Sequence, residues 1–133
     1  RDRFLPVKSK NIDDHDMHEE SYFINSKTLK KIQNVKRNGN RILSIGTTSL
    51  RAIESLAIDT NQVNKWSKTN LFITEGFEFK FTDCLLTNFH LPKSTLLILI
   101  SSFLGYELTM KCYKIALKEK FRFYSYGDAM LIL

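Results

Sequence analysis

The 133-residue sequence holds only two cysteines, two prolines, five glycines and one tryptophan. Cys84 and Cys112 stand far apart in apolar surroundings and belong to no C-x-x-C pair, which argues against a disulfide framework and against a thiolate zinc site. Both read as buried thiols. Long apolar runs are missing too. The stretch Leu96 to Leu104 falls well short of the ~20 residues that cross a bilayer, and Lys93 and two serines flank or interrupt it, so a buried helix is expected there. No basic segment, apolar stretch and small-residue cleavage site open the chain, and a cytoplasmic location is expected from that. There is no internal repeat and no low-complexity tract. The sequence begins at Arg1 and stops within the apolar run Ala129-Met130-Leu131-Ile132-Leu133, so it reads as a fragment of something longer.

What is present in excess is positive charge, with 20 lysines and arginines against 14 aspartates and glutamates. The first twenty residues hold four basic and six acidic side chains, so the remainder holds 16 and eight, a net charge of +8. A basic body with interleaved aromatics suits RNA, because phosphate neutralisation supplies most non-specific affinity for nucleic acid. A solvated, lysine-rich surface explains the same composition.

The pattern predicts an α/β protein, a mixed β-sheet flanked by helices. Phe4-Leu5-Pro6-Val7 reads as a short edge strand, where proline is tolerated, and Ser21 to Asn25 as another. Ser26 is expected to cap a helix with Leu29, Ile32 and Val35 at helical spacing, stopped by Lys36, Arg37 and Gly39. Arg41 to Ile45 reads as a buried strand, and after Gly46 the residues Leu50, Ile53 and Ala57 mark a second helix. A polar loop over residues 59–68, with Trp66 in it, reaches solvent. Leu71 to Thr74 and Phe77 to Phe81 read as a hairpin joined through Gly76. Cys84 to Thr87 is a strand leading into a loop. Ser94 or Thr95 then caps the apolar helix, which ends near Gly105. An amphipathic helix over about Glu107 to Glu119, a strand from Phe121 to Tyr124 and a turn at Gly127 complete the pattern.

Four segments carry residue types fit for chemistry. In Asp13-Asp14-His15-Asp16-Met17-His18-Glu19-Glu20, imidazoles beside carboxylates can shuttle a proton or bind a metal. No H-E-x-x-H and no cysteine pair supplies the further ligands zinc needs, so no metal is expected, and hydrogen bonding is the better reading. In Ser44-Ile45-Gly46-Thr47-Thr48-Ser49-Leu50-Arg51, a strand delivers a glycine and three hydroxyls to a helix N-terminus. That is a cradle for an anion or nucleotide, to which Arg51 adds a donor fork; a plain capped helix fits equally well. The pattern is neither a Walker loop nor G-x-G-x-x-G. Thr87-Asn88-Phe89-His90-Leu91-Pro92-Lys93 puts polar groups between a strand's end and a helix, where open α/β sheets place ligands. Asn88 and His90 can instead bind backbone and hold the loop. In Phe121-Arg122-Phe123-Tyr124-Ser125-Tyr126-Gly127-Asp128, alternate aromatics suit a core, whereas Tyr126 and Asp128 at the glycine turn suit a ligand.

In order along nearly the whole chain, these strings resemble the S-adenosylmethionine:tRNA ribosyltransferase-isomerases of queuosine biosynthesis. The similar strings are Phe4-x-Pro6-Val7, His15-x-Met17-His18-x-Glu20, Gly46-Thr47-Thr48-Ser49-x-Arg51-x-x-Glu54-Ser55, Leu86-Thr87-Asn88-Phe89-His90-Leu91-Pro92-x-Ser94-Thr95-Leu96 and Arg122-Phe123-x-Ser125-Tyr126-Gly127-Asp128-Ala129-Met130. The resemblance implies S-adenosylmethionine as co-substrate, no metal, and tRNA bearing 7-aminomethyl-7-deazaguanine as partner. It implies epoxyqueuosine, adenine and methionine as products. His90 or His18 is then the expected base, Asp128 lies near adenine or ribose, and Gly46, Thr47, Thr48, Ser49 and Arg51 bind the donor's polar groups, with Asn88 and Tyr126 also on the substrate. The turn near residue 47, the loop near 89 and the corner near 127 are expected to converge on one nucleoside cleft.

The chain departs from the family pattern at three places. Only Arg1-Asp2-Arg3 stand before Phe4, where the family has a long N-terminal portion, and a separate N-terminal portion of the same enzyme is an open partner; Glu75 replaces the usual proline before Gly76; and Leu104 replaces a small residue before Gly105. Residues 1–133 thus read as the C-terminal part of the catalytic domain, not catalytic standing alone. A tRNA-binding module without catalysis and a non-functional remnant stay open beside an enzyme.

Overall fold

The computed structural model describes residues 19–88, 95–119 and 129–133. They belong to two compact units that interleave along the sequence. One comprises residues 19–71, 78–86 and Leu133, and the other includes residues 72–77 and the described residues from Thr87 to Ile132. The elements run β1 (Glu20–Tyr22), α1 (Ser26–Arg37), β2 (Leu43–Ile45), α2 (Thr47–Ile58), a 3-10 turn (Thr60–Gln62), β3 (Ser67–Thr69), β4 (Cys84–Asn88), α3 (Thr95–Leu104), α4 (Tyr106–Lys118) and β5 (Ala129–Ile132). The α/β class expected from the sequence holds. The strands form two small sheets, an antiparallel β1-β3 pair and a three-stranded sheet in the order β2-β4-β5, in which β2 and β4 run parallel.

In the first unit, helix α1 starts as its asparagines dictate. The Asn25 side chain accepts the Thr28 amide at 2.8 Å, and the Asn64 side chain accepts the Ser26 amide at 2.8 Å from 38 residues away. Ser26 is therefore the first helical residue and not the cap, because two neighbouring amide side chains already satisfy the exposed N–H groups. The basic end at Lys36 and Arg37, followed by Gly39 at φ +76°, stops the helix as expected. Leu29 buries its side chain with Tyr22, Ile24, Ala52 and Leu56, and Ile53, Val63 and Phe81 pack around them.

Two expectations fail. Within β2 only Ser44 is buried, whereas Leu43 is 46% and Ile45 65% exposed; the inward position bonds the Thr82 hydroxyl at 2.7 Å. The strand is polar on its buried face, so apolar content misjudged it. The hairpin over residues 71–81 does not form either. The amides of Lys80, Phe81 and Thr82 donate at 2.8, 3.0 and 2.7 Å to the carboxylate of Glu54, which is 1% exposed on α2. A carboxylate that takes three successive amides removes the donors a strand ladder needs. The polar stretch 59–68 also holds more order than expected: the 3-10 turn and the start of β3 lie within it.

The Asp83 carboxylate ties the end of α1 to the entrance of β2. It accepts the Lys36 ammonium at 2.7 and 2.8 Å and the Ile42 amide at 2.8 Å. Burial alone would push this carboxyl up; the bonds from Lys36 and Ile42 and the charges of Lys36 and Arg41 outweigh it and hold it below its ordinary 3.8. A depressed acid contributes stability above its unfolded-state pKa and loses it as the pH falls through the folded value. Asp83→Asn should therefore be less stable than wild type near neutral pH, and the gap should close below about pH 4. Urea midpoints of the two proteins across that range check this, and a gap independent of pH contradicts it.

In the second unit, α3 and α4 meet at Gly105, whose φ of +86° turns the chain between them. The Gly105 amide bonds the Ser101 carbonyl at 2.7 Å, and its carbonyl takes both the amide and the hydroxyl of Thr109, at 3.1 and 2.8 Å. Leu97, Tyr113 and Ala116 form the core, with Met110 and Met130 against them. Leu99 and Ile100 are buried, as expected of the apolar helix. Cys84 is buried, but Cys112 is only half-buried, because it lies beside rather than on the Thr109-Tyr113-Ala116 stripe of α4. Glu75 and Leu104, two of the departures noted above, line one open depression with Gly105, Tyr106, Glu107 and Leu108. β5 takes the edge beside β4. The expected strands at Phe4–Val7 and Phe121–Tyr124 and the turn at Gly127 lie outside the described residues. No described helix is long and apolar enough to cross a membrane.

Candidate functional site

The parallel pair ends where the hydroxyl-rich turn begins. Cys84, Leu85 and Leu86 of β4 face Leu43, Ser44 and Ile45 of β2, and the Gly46 amide extends the ladder by bonding the Leu86 carbonyl at 2.7 Å. Gly46 has φ +90°, a conformation that residues with a side chain rarely adopt. A Cβ added there meets nothing within 4 Å, so the requirement for glycine is conformational, not steric. Helix α2 starts at the next residue with no side chain capping it. Its first amides and the positive end of its dipole are the donors such a terminus offers to an anion. Thr47 is buried, Thr48 half-buried and Ser49 exposed, so the three hydroxyls meet different surroundings.

Arg51 lies one turn further on and is 2% exposed. Its Nη1 lies 3.1 Å from the Glu20 Oε2 atom, its Nε donates to the Leu71 carbonyl at 3.0 Å, and its Nη2 reaches the Thr69 carbonyl at 3.5 Å. The Thr48 hydroxyl donates to the other Glu20 oxygen at 3.3 Å. The last residue of the His15-x-Met17-His18-x-Glu20 string is thus fastened to the first turn of α2. Ser55 bonds the Thr69 hydroxyl one turn later. The helix that carries the hydroxyl turn is held by Glu20 and β3 through Thr48, Arg51 and Ser55, and by the 80–82 segment through Glu54. The Tyr22 phenol, beside Glu20, is pushed up by burial, partly offset by its bond with Ser67.

The structure brings Gly46, Thr47, Thr48, Ser49 and Arg51 together on one turn and one helix. Asn88 is half-buried and closes β4. His18, His90, Tyr126 and Asp128 lie outside the described residues. Sequence reasoning assigned no role to Glu20 or Glu54, although both stand in the strings quoted above. The signal for Glu54 was its place four residues after Leu50, an acid on the apolar stripe of a helix. No group of three or more His, Cys, Asp or Glu able to hold a metal occurs among the described residues.

A parallel strand pair followed by a glycine turn and a helix defines an α/β protein with a polar turn at the carboxyl end of its sheet. The profile of the family described as queuosine biosynthesis protein matches residues 1–132, and the chain belongs to that family. It is 50% identical over 129 residues to the S-adenosylmethionine:tRNA ribosyltransferase-isomerase of Thermosipho melanesiensis, covering 97% of this chain and 39% of that protein. The protein of the same name from Polynucleobacter asymbioticus is also 50% identical, with 97% and 36% covered. The crystal structure of S-adenosylmethionine tRNA ribosyltransferase from Thermotoga maritima superposes with a TM-score of 0.74 at 43% identity, over 85% of this chain and 40% of that one. The chain thus spans well under half the length of these relatives.

Proposed function

We propose that residues 1–133 supply the C-terminal part of the catalytic domain of an S-adenosylmethionine:tRNA ribosyltransferase-isomerase. The observation that carries this reading is identity of one residue in two across 97% of the chain to a relative of that name. The ribosyl group of S-adenosylmethionine goes to 7-aminomethyl-7-deazaguanine in tRNA, giving epoxyqueuosine and releasing adenine and methionine. A base, His90 or His18, removes a proton beside the sulfonium carbon; adenine then departs near Asp128, the aminomethyl nitrogen attacks, and the epoxide closes as the C–S bond breaks and methionine leaves. Such chemistry needs a water-poor pocket and donors on the polar groups of the nucleoside. The Gly46–Ser49 turn provides those donors, joined by Asn88 and Tyr126. Arg51 acts through Glu20 and Thr48, holding the turn in place.

Replacing the matching segment of the Thermotoga maritima relative by this chain tests the proposal. Adenine release from S-adenosylmethionine, dependent on precursor tRNA, is the expected result, and His90→Ala in the same chimera should abolish it. A folded chimera that binds tRNA but releases no adenine contradicts the catalytic reading. Near-normal turnover after His90→Ala removes His90 from the mechanism.

A further inference from the structure

The outward face of the β1-β3 pair has no counterpart in the proposed chemistry. Glu20 pairs with Thr69, Ser21 with Lys68 and Tyr22 with Ser67, so side chains alternate between the core and solvent. Tyr22 and Thr69 point inward and are buried. Phe23 and Trp66 follow the last pair on the outward side, where they are 45% and 77% exposed. Their ring centroids lie 5.6 Å apart at an interplanar angle of 48°. Two large aromatics side by side in water lose the benefit of burial, which makes such a pair informative in a way a single exposed ring is not.

Charge points to the kind of partner. Within this unit Glu20, Glu54 and Asp83 are engaged internally by Arg51, by three amides and by Lys36. Among its exposed side chains, eight lysines and arginines face only three acids, Glu19, Asp59 and Glu78. Lys65 and Lys68 flank Trp66; Glu19 approaches Lys68 at only 3.9 Å in an exposed pair, and Asp59 acts on Lys65 from an exposed position. Such pairs are weak in water and yield readily to a phosphate. An exposed aromatic pair on a positively charged unit matches the way proteins hold unpaired nucleobases: rings stack the bases and cations track the backbone.

We propose that Phe23 and Trp66 form a stacking platform for an unpaired base of the RNA substrate, with Lys65 and Lys68 on the adjoining phosphates. The proposal rests on the reading that the substrate is a tRNA, and it adds where on this chain a loop base is received.

The test uses the 133-residue chain, a stem-loop RNA and a fully paired RNA duplex of equal length. Trp66 is the sole tryptophan, so its emission reports the platform directly. Saturable quenching by the stem-loop and little by the duplex is expected. Trp66→Ala should weaken stem-loop binding about 10-fold, as loss of one stacked base does, and leave duplex binding nearly unchanged. Trp66→Phe should restore much of the loss. Lys65→Gln with Lys68→Gln should weaken both RNAs and flatten the salt dependence. Stem-loop binding without quenching, and unaffected by Trp66→Ala, overturns the platform while the enzymatic reading stands on adenine release by the chimera. Absence of binding to either RNA also overturns it. Loss of self-association in Trp66→Ala, with RNA affinity intact, assigns the surface to protein contact instead.

Discussion

Glu54→Ala should lower the stability of the chain by about 3–5 kcal/mol, a large share of the ~5–15 kcal/mol that holds a typical domain together. The Glu54 carboxylate is 1% exposed and accepts the amides of Lys80, Phe81 and Thr82, all at 3.0 Å or less. Each bond to a charged acceptor contributes roughly 1.5–3 kcal/mol, and an amide left buried without a partner costs about as much as the bond was worth. The three do not add in full, because the segment can relax toward water once the acceptor is gone. Glu54→Gln keeps one acceptor oxygen but turns an NH2 group toward at least one amide, so about half the loss is expected. Urea unfolding of the three proteins measures it. Hydrogen exchange should show protection lost at Lys80, Phe81 and Thr82. A Glu54→Ala loss below about 1 kcal/mol contradicts the assignment of this carboxylate as the anchor of residues 80–82.

Arg51→Ala should cost about 3–5 kcal/mol, because it removes the cation paired with a nearly buried carboxylate. Glu20 has 11% of its side chain exposed and would keep only the Thr48 hydroxyl among the partners described above. The carbonyls of Leu71 and Thr69 lose a donor at the same time. Breaking one side of a buried ion pair is far more damaging than replacing both sides by apolar groups of similar size. The double variant Glu20→Leu with Arg51→Met should therefore be more stable than Arg51→Ala alone. A double-mutant cycle on Glu20 and Arg51 is expected to return a coupling of about 2 kcal/mol or more. Additive single effects would mean that Arg51 acts on the carbonyls alone. In the chimera, Arg51→Lys should raise KM for S-adenosylmethionine if the pair positions the hydroxyl turn, since a lysine cannot reproduce the planar donor fork.

The parts of this fold set by local chemistry were readable in advance. Gly39 behind Lys36 and Arg37 ended α1, and the apolar spacing of Leu50 and Ile53 after Gly46 marked α2. The parts set by contacts between distant residues were not. Nothing near Ser26 tells that Asn64 will take its amide, and nothing near Phe77 to Phe81 tells that Glu54 will take the donors of a would-be strand. Alternation of Phe79 and Phe81 with Lys80 between them is still visible in their burial, because it follows from extended backbone and not from a ladder. Arg51 carries the same lesson at the site. Its residue type suited a ligand, yet only the position of Glu20, 31 residues earlier, shows what its guanidinium does.

A crystal structure of the chimera with S-adenosylmethionine bound tests the central claim most directly. The expected result is the nucleoside at the carboxyl end of β2, its polar groups on the Gly46–Ser49 turn, with His90 and Asp128 at the reacting ribose. A nucleoside bound elsewhere, with that turn empty and those two residues far from the sugar, would contradict it.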